Sequence, residues 1–485
     1  MGRRRTAGVR RRARTRGHAR VGAALLGGVT ALSLVPALWA WPARAADPSG
    51  DSPFAYAEDA ARLPAASSTT DAERLELGGI YRSSLPHGTK AYYRLELDSA
   101  TNAYVSATVV PPPGAAVSAL DGVKVSVQDV DGGICSVDTE TFGSVRSARP
   151  LTAWGMRELT SRRSRCQEAG TYYAVVETGR GGASGGSGAS DDSAAPDAFA
   201  SGDWGLELTT VSEPGLSRTG ATEAPESWNS APPADLTGDP VARTGGAGFS
   251  RATRLGHGVW RDGIRPGQTL YYEVPLGWGR QVYVTAELGS SPGRSGATAG
   301  ALDLTLYNPA RGPVEDTSTG YYGRQQSADL DPLPPVGHEN RFAVADRVSG
   351  MRFAGSYYLA VHLSAQVAER FGDGPLGLTL RLRVSGQARS GPGYAGEPLP
   401  RGDLRRGRRL GLAAGRGDLP WGREGRGHAA GAGGGRHRWR KRAGGGPRRV
   451  DRGGTETGRV GVSEGGAADR MPGRHRRVSA QKPTA

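Results

Sequence analysis

Gly267-Gln268-Thr269-Leu270-Tyr271-Tyr272-Glu273-Val274-Pro275-Leu276 decides the fold, because it recurs as Gly88-Thr89-Lys90-Ala91-Tyr92-Tyr93-Arg94-Leu95-Glu96-Leu97, 179 residues earlier. Trp260 and Tyr283 flank the later block as Tyr81 and Tyr104 flank the earlier one. Val123 to Val127 aligns with Leu302 to Leu306 at the same offset, and Gly170 to Val176 matches Gly355 to Val361 at an offset of 185. Self-similarity held over blocks this far apart means a duplicated folding unit.

Each copy reads as strand after strand. Apolar and polar residues alternate from Tyr93, from Ala103 to Val109 and from Val123 to Val127, as in strands with one buried face. Turn chemistry separates them: Pro86-His87-Gly88, Pro111-Pro112-Pro113-Gly114 and Asp131-Gly132-Gly133. The pattern closes with Tyr172 to Glu177 and Trp204 to Thr210, mirrored by Tyr357 to Leu363 and Leu376 to Val384. Six to eight short strands per copy with almost no helical periodicity predict an all-β chain, two tandem jelly-roll-like antiparallel β-sandwiches. One short helix is expected from Ser364 to Phe371.

Composition sets the boundaries. Residues 1–45 hold ten Arg and no acid, and residues 401–485 hold 22 Lys/Arg against 7 Asp/Glu. Residues 46–400 are therefore net acidic, and the basic total charge of +15 gives no global argument for specific nucleic-acid binding. The Arg-rich head, the uncharged run from Val21 to Ala43 and the Ala43-Arg44-Ala45 site predict a signal peptide over 1–45, with a retained N-terminal anchor as the alternative. The remaining segments are expected as a linker at 46–70, a first sandwich at 71–211, a linker at 212–248, a second sandwich at 249–386 and a disordered tail at 387–485. The tail from Arg401 holds 20 Arg and 22 Gly in 85 residues and cannot bury enough apolar area to offset its chain entropy. Such composition is expected of a shifted reading frame in GC-rich coding DNA; the other reading is a polyanion-binding arm.

Cys135 and Cys166 lie in the first copy without counterparts in the second. Export predicts a disulfide between them, closing about thirty residues and worth about 3–4 kcal/mol. Neither CxxC spacing nor nearby His supports a metal or redox pair. Gly182-Ala183-Ser184-Gly185-Gly186 and Gly289-Ser290-Ser291-Pro292-Gly293 satisfy G-x-S-x-G without the strand and helix a nucleophile elbow needs. His87, His257, His338 and His362 are scattered. Asp129-Val130-Asp131-Gly132 reads as a hairpin turn rather than a calcium loop. Arg401-Gly402-Asp403 and Arg416-Gly417-Asp418 are chance triplets in an Arg/Gly tail. No catalytic residue, cofactor or metal ligand is expected. The pairs Tyr92-Tyr93, Tyr172-Tyr173, Tyr271-Tyr272, Tyr321-Tyr322 and Tyr357-Tyr358 place one ring on each face of a strand. The outward ring of each pair is expected under a loop or against the sister domain, with stacking on a sugar or protein partner as the alternative.

Gly267, Tyr271-Tyr272, Tyr283-Val284-Thr285-Ala286, Leu302 to Pro309, Ala354 to Val361 and Leu378 to Leu382 together resemble the bacterial pre-peptidase C-terminal domain, a jelly-roll-like β-sandwich. More broadly, residues 50–400 are similar to actinobacterial exported proteins with two such modules and an apolar C-terminal anchor helix. The resemblance implies an extracellular or envelope location and specifies fold far better than activity; the lack of a catalytic motif points to no activity of the chain's own, with an enzyme site across the domain junction as the third reading. It implies binding or scaffolding for a protein or cell-wall glycan partner, with membrane contact through the N-terminal segment or a lost C-terminal anchor. An accessory role to an extracellular hydrolase or a secretion complex is the alternative.

Overall fold

A computed structural model describes residues 54–400 apart from 144–146, 161–163, 181–201, 235 and 292–294. The expected signal segment, the tail from Arg401 with both Arg-Gly-Asp triplets, and Ser184 lie outside the described residues. Among the described residues no helix is long and apolar enough to cross a membrane.

The first copy runs β1 (Ala61–Arg62), β2 (Ile80–Pro86), β3 (Lys90–Leu97), β4 (Thr101–Val110), β5 (Asp121–Asp129), β6 (Ile134–Thr141), β7 (Leu151–Arg157), β8 (Gly170–Arg180) and β9 (Asp203–Pro214). One sheet has the order β1-β2-β9-β4-β7, the other β3-β8-β5-β6. The second copy runs β10 (Val241–Ala242), β11 (Thr253–Arg254), β12 (Gly258–Ile264), β13 (Thr269–Leu276), β14 (Gln281–Leu288), β15 (Thr298–Tyr307), β16 (Pro313–Tyr321), β17 (Gln326–Asp329), β18 (Gly355–Leu363) and β19 (Leu376–Ser385). Its sheets are β10-β12-β19-β14-β17 and β11-β13-β18-β15-β16, so the order of the first copy repeats with every long strand advanced by ten. Pairing is antiparallel throughout except where β1, β10 and β11 add short parallel edges. The expected short helix forms as α2 (Val367–Phe371), and a further short helix that was not expected, α1 (Asp346–Ser349), precedes β18.

Each copy closes its own core. Tyr93, Leu95, Val105, Val125, Trp204 and Leu206 are buried in the first, and Tyr272, Val274, Leu304, Tyr357, Leu359 and Leu378 in the second. Side chains of this size contribute about 1.5–3 kcal/mol each on full burial. A buried phenol must keep a hydrogen-bond partner, and the duplication preserves both solutions. Tyr93 Oη donates to Ser83 Oγ at 3.0 Å, and Tyr272 Oη donates to Asp262 at the matching position at 2.7 Å. Tyr172 and Tyr357 each donate to the carbonyl four residues earlier, at 2.7 and 2.8 Å.

The expected linkers move at their edges. β1 lies in the expected 46–70 linker yet pairs with β2, and Phe54 reaches the second copy through Ala55 N donating to Ala247 O at 2.9 Å. β10 lies in the expected 212–248 linker and pairs with β12. Residues 387–400, expected within the disordered tail, return to the end of β9: Ser212 N donates to Leu399 O and Ser217 N to Gly393 O, both at 2.8 Å. These stretches are too short to show hydrophobic periodicity, and sheet edges with open backbone groups capture them.

The two sandwiches stack head to tail. The β2-β9-β4-β7 face of the first copy packs on the β13-β18-β15 face of the second, a heterologous contact between non-equivalent surfaces. This buries both faces of β4 and β9, whose alternation predicted only one. The equivalent face of the second copy meets the linker instead. Matching Tyr81 to Trp260 places Arg381 and Arg383 where β9 has Thr209 and Val211. Arg381 Nη1 donates to Leu236 O at 2.7 Å and Arg383 Nη2 to Ala234 O at 2.6 Å, while Gln281 Nε2 donates to Asn229 O at 2.8 Å. The linker thus lies against this sheet face through its backbone carbonyls.

Candidate functional site

The seam between the sandwiches is built by the outward residues of β9. Leu206 and Leu208 point into the core, so Glu207, Val211 and Glu213 project toward the second copy. Glu207 Oε1 accepts from Arg311 Nη1 at 2.6 Å and Glu207 Oε2 from Ala57 N at 2.8 Å. Glu213 takes the Arg341 guanidinium in a two-pronged pair at 2.6 and 2.8 Å, and also accepts from Asn102 Nδ2, Tyr104 Oη and Tyr394 Oη at 2.9–3.1 Å. Arg352 Nη1 donates to Glu158 Oε1 at 2.5 Å. In all three pairs the acid comes from the first copy and the arginine from the second.

Two aromatic clusters fill the space between these pairs. Tyr104 stacks on Trp154 and meets Phe353 edge-on. Phe249 meets Tyr271, Tyr307 and Tyr358, with Phe54 against Tyr271. The outward rings of the 271-272 and 357-358 pairs therefore pack against the sister domain's contacts, as expected. Their equivalents in the first copy do not. Tyr92 and Tyr173 are half-buried on the outward face of the β3-β8-β5-β6 sheet, diagonal neighbours two residues apart in the β3/β8 register and flanked by Arg94, Glu96 and Lys90.

Burial by itself raises a carboxyl, but around Glu213 the Arg341 guanidinium overrides it and holds the group at about 2. His338, 3.8 Å from Glu213, is pushed down to about 4 by burial and by Arg341, so it is neutral at pH 7. A second titrating group faces the seam elsewhere. Glu140 on β6 shares a cleft of about 250 Å³ with Asp303 and Asp316 of the second copy and with Arg149, which pairs with Asp303 at 3.6 Å. Burial, then the Asp138, Asp316 and Asp303 carboxylates, push Glu140 up to about 8.

The signs of these shifts oppose each other. Native Glu140 keeps a proton that the unfolded chain gives up near 4.5, so its contribution is present below that value and lost as pH rises through 8. For Glu213 and His338 the unfolded chain takes the proton first. Their contributions are present above about 4.5 and 6.5 and are lost as pH falls through about 2 and 4. Glu140→Gln is therefore expected to gain roughly 1–3 kcal/mol relative to the parent between pH 5 and pH 8. Chemical unfolding at both pH values checks this, and an unchanged difference refutes it.

The residues singled out in the sequence are placed as follows. Cys135 and Cys166 form a disulfide joining β6 to the loop after β7, which fits an oxidising, extracellular compartment. Asp129 Oδ1 accepts from Asp131 N and Gly133 N at 3.1 and 2.6 Å, the turn chemistry expected of it. Ser290 Oγ accepts from Gln325 N. The four histidines stay apart: His87 lies against Trp204, His257 Nδ1 accepts from Val384 N, His362 is buried between Thr269 and Ser147, and His338 lines the seam. Sequence reasoning missed Glu207, Glu213, Arg311, Arg341 and Arg352. The one available signal was two acids at outward positions of β9, a strand otherwise apolar enough to be a core strand.

No protein-family model and no curated protein sequence matches the chain. Among solved structures it is similar to the N-terminal tandem CBM22 domain of Paenibacillus barcinonensis Xyn10C, at 9% identity over 62% of this chain and 85% of that one, TM-score 0.17. It is also similar to the CUB1-EGF-CUB2 domain of human MASP-1/3, at 7% identity over 63% and 99%, TM-score 0.16. A third is the tandem CBM51 modules of Sp3GH98, a family 98 glycoside hydrolase of Streptococcus pneumoniae, at 7% identity over 63% and 84%, TM-score 0.15. Scores this low carry no argument about function. The strand pairings by themselves define the class, a tandem antiparallel β-sandwich protein.

Proposed function

We propose that the chain is a non-catalytic exported binding protein of the cell envelope whose partner is a cell-wall glycan. The observation that carries this reading is the contrast between equivalent tyrosines. Tyr271 and Tyr358 are consumed by the seam, while Tyr92 and Tyr173 face outward on the β3-β8-β5-β6 sheet, half-buried, with Lys90 beside the Tyr92 ring. A pyranose lays its C–H face on such a ring, and flanking Arg94, Glu96 and Lys90 supply hydrogen bonds to its hydroxyls. The seam supports the reading too, since it holds the sandwich carrying these tyrosines against the second one.

The test is retention of the full-length chain on insoluble peptidoglycan and on chitin. Tyr92→Ala/Tyr173→Ala is expected to weaken retention roughly tenfold, from two aromatic contacts of about 0.5–1.5 kcal/mol each. Undiminished retention of the double variant, or none by the parent, overturns the reading.

A further inference from the structure

A second concave site lies at the end of the seam, away from the tyrosine face. The segment after β9, the β13–β14 turn at Trp278-Gly279, the stretch at Val336 to Glu339 and the returning segment at Arg389 to Gly393 enclose a cleft of about 600 Å³. This is the size of a small-molecule site and far larger than a single ion requires. A neighbouring cleft of about 320 Å³ shares Leu216 and His338 with it.

The walls are preformed, because backbone hydrogen bonds pin them on three sides. Ser217 N donates to Gly393 O at 2.8 Å, Arg389 N to Trp278 O at 2.9 Å, and Gly279 N to Val336 O at 2.8 Å. The lining is mixed: Leu216, Trp278, Val336 and Pro392 give apolar surface, and glycine backbone with the hydroxyls of Ser217, Thr219 and Ser390 gives polar surface. Its charges are the exposed guanidiniums of Arg218 and Arg389 against the single carboxylate of Glu339. Neither guanidinium has an ion pair or side-chain hydrogen bond among the described residues. The second-copy arginines Arg311, Arg341 and Arg352 are by contrast spent on the first-copy acids Glu207, Glu213 and Glu158.

We infer that this cleft binds a carboxylated sugar, with Arg218 and Arg389 holding the carboxylate and the hydroxyl-rich walls the ring. A guanidinium fork matches a carboxylate in geometry as well as charge. Hydroxyls and glycine backbone beside the Trp278 and Leu216 surfaces suit a ring that has both hydroxyls and C–H faces. The site is assembled from three stretches, the segment after β9, the second copy and the returning segment.

The experiment titrates the full chain with oligogalacturonate and, in parallel, with neutral dextran of equal length. Oligogalacturonate is expected to bind and dextran to bind at least tenfold more weakly. Arg218→Ala/Arg389→Ala is expected to lose at least tenfold in oligogalacturonate affinity, while Tyr92→Ala/Tyr173→Ala keeps it. Glu339→Gln, which removes the one opposing charge, is expected to tighten binding severalfold and serves as the check should the double arginine variant fold poorly. Equal affinity for dextran, no binding of oligogalacturonate, or a loss confined to the tyrosine variant overturns the inference. The last of these outcomes leaves the glycan reading of the tyrosine face standing.

Discussion

Glu213→Ala is expected to destabilise the chain by about 3–5 kcal/mol and to split one unfolding transition into two. The carboxylate has no exposed side-chain surface, and its removal leaves the Arg341 guanidinium, itself 10% exposed, charged and unpaired. Asn102 Nδ2, Tyr104 Oη and Tyr394 Oη lose their shared acceptor in the same step. The damage falls on the contact between sandwiches, because each core lies on the other side of its own sheet. Each sandwich then unfolds on its own. Replacing both partners, Glu213→Leu with Arg341→Met, is expected to recover most of the loss, since no buried charge remains. Calorimetry with urea unfolding reads both effects. A single unchanged transition within about 1 kcal/mol of the parent shows that the pair does not hold the seam.

Cys135→Ser/Cys166→Ser is expected to cost the first sandwich about 3–4 kcal/mol, from a separation of 31 residues between the joined positions. β6 is an edge strand, and the disulfide ties it to the loop after β7. That loop also carries Gln167, whose Nε2 donates to Glu158 O at 3.1 Å, and so positions the carboxylate that meets Arg352. Loosening it weakens the seam a second time. Thermal unfolding with and without reductant, followed by a probe in each sandwich, separates the two contributions. Equal losses in both sandwiches refute a local role.

How much was legible differs between the cores and the seam. Tyr93, Leu95, Val125 and Tyr272 announced themselves by period-two alternation, because a strand with one buried face writes that face directly into its sequence. The disulfide was legible from the cysteine count and the expected export. Glu213 and Arg341 were not, being 128 residues apart. Each by itself reads as a solvated charge. Ala103 to Val109 misled for a related reason: its polar positions looked exposed, yet Ser106 and Thr108 are buried. The returning segment from Gln387 to Pro400 carries no periodic pattern, and it is held through backbone groups that every residue has.

Local periodicity and the internal repeat determined, without coordinates, that this chain is two all-β units of one ancestry with one disulfide. Those properties depend on neighbours within a strand or on matched blocks, which a linear text records. Which sheet faces meet, which acid finds which arginine, and which of four equivalent tyrosines stay open depended on tertiary structure. A docking geometry between duplicated units is chosen by surface shape and charge assembled from distant strands, and the same repeat is consistent with several such geometries.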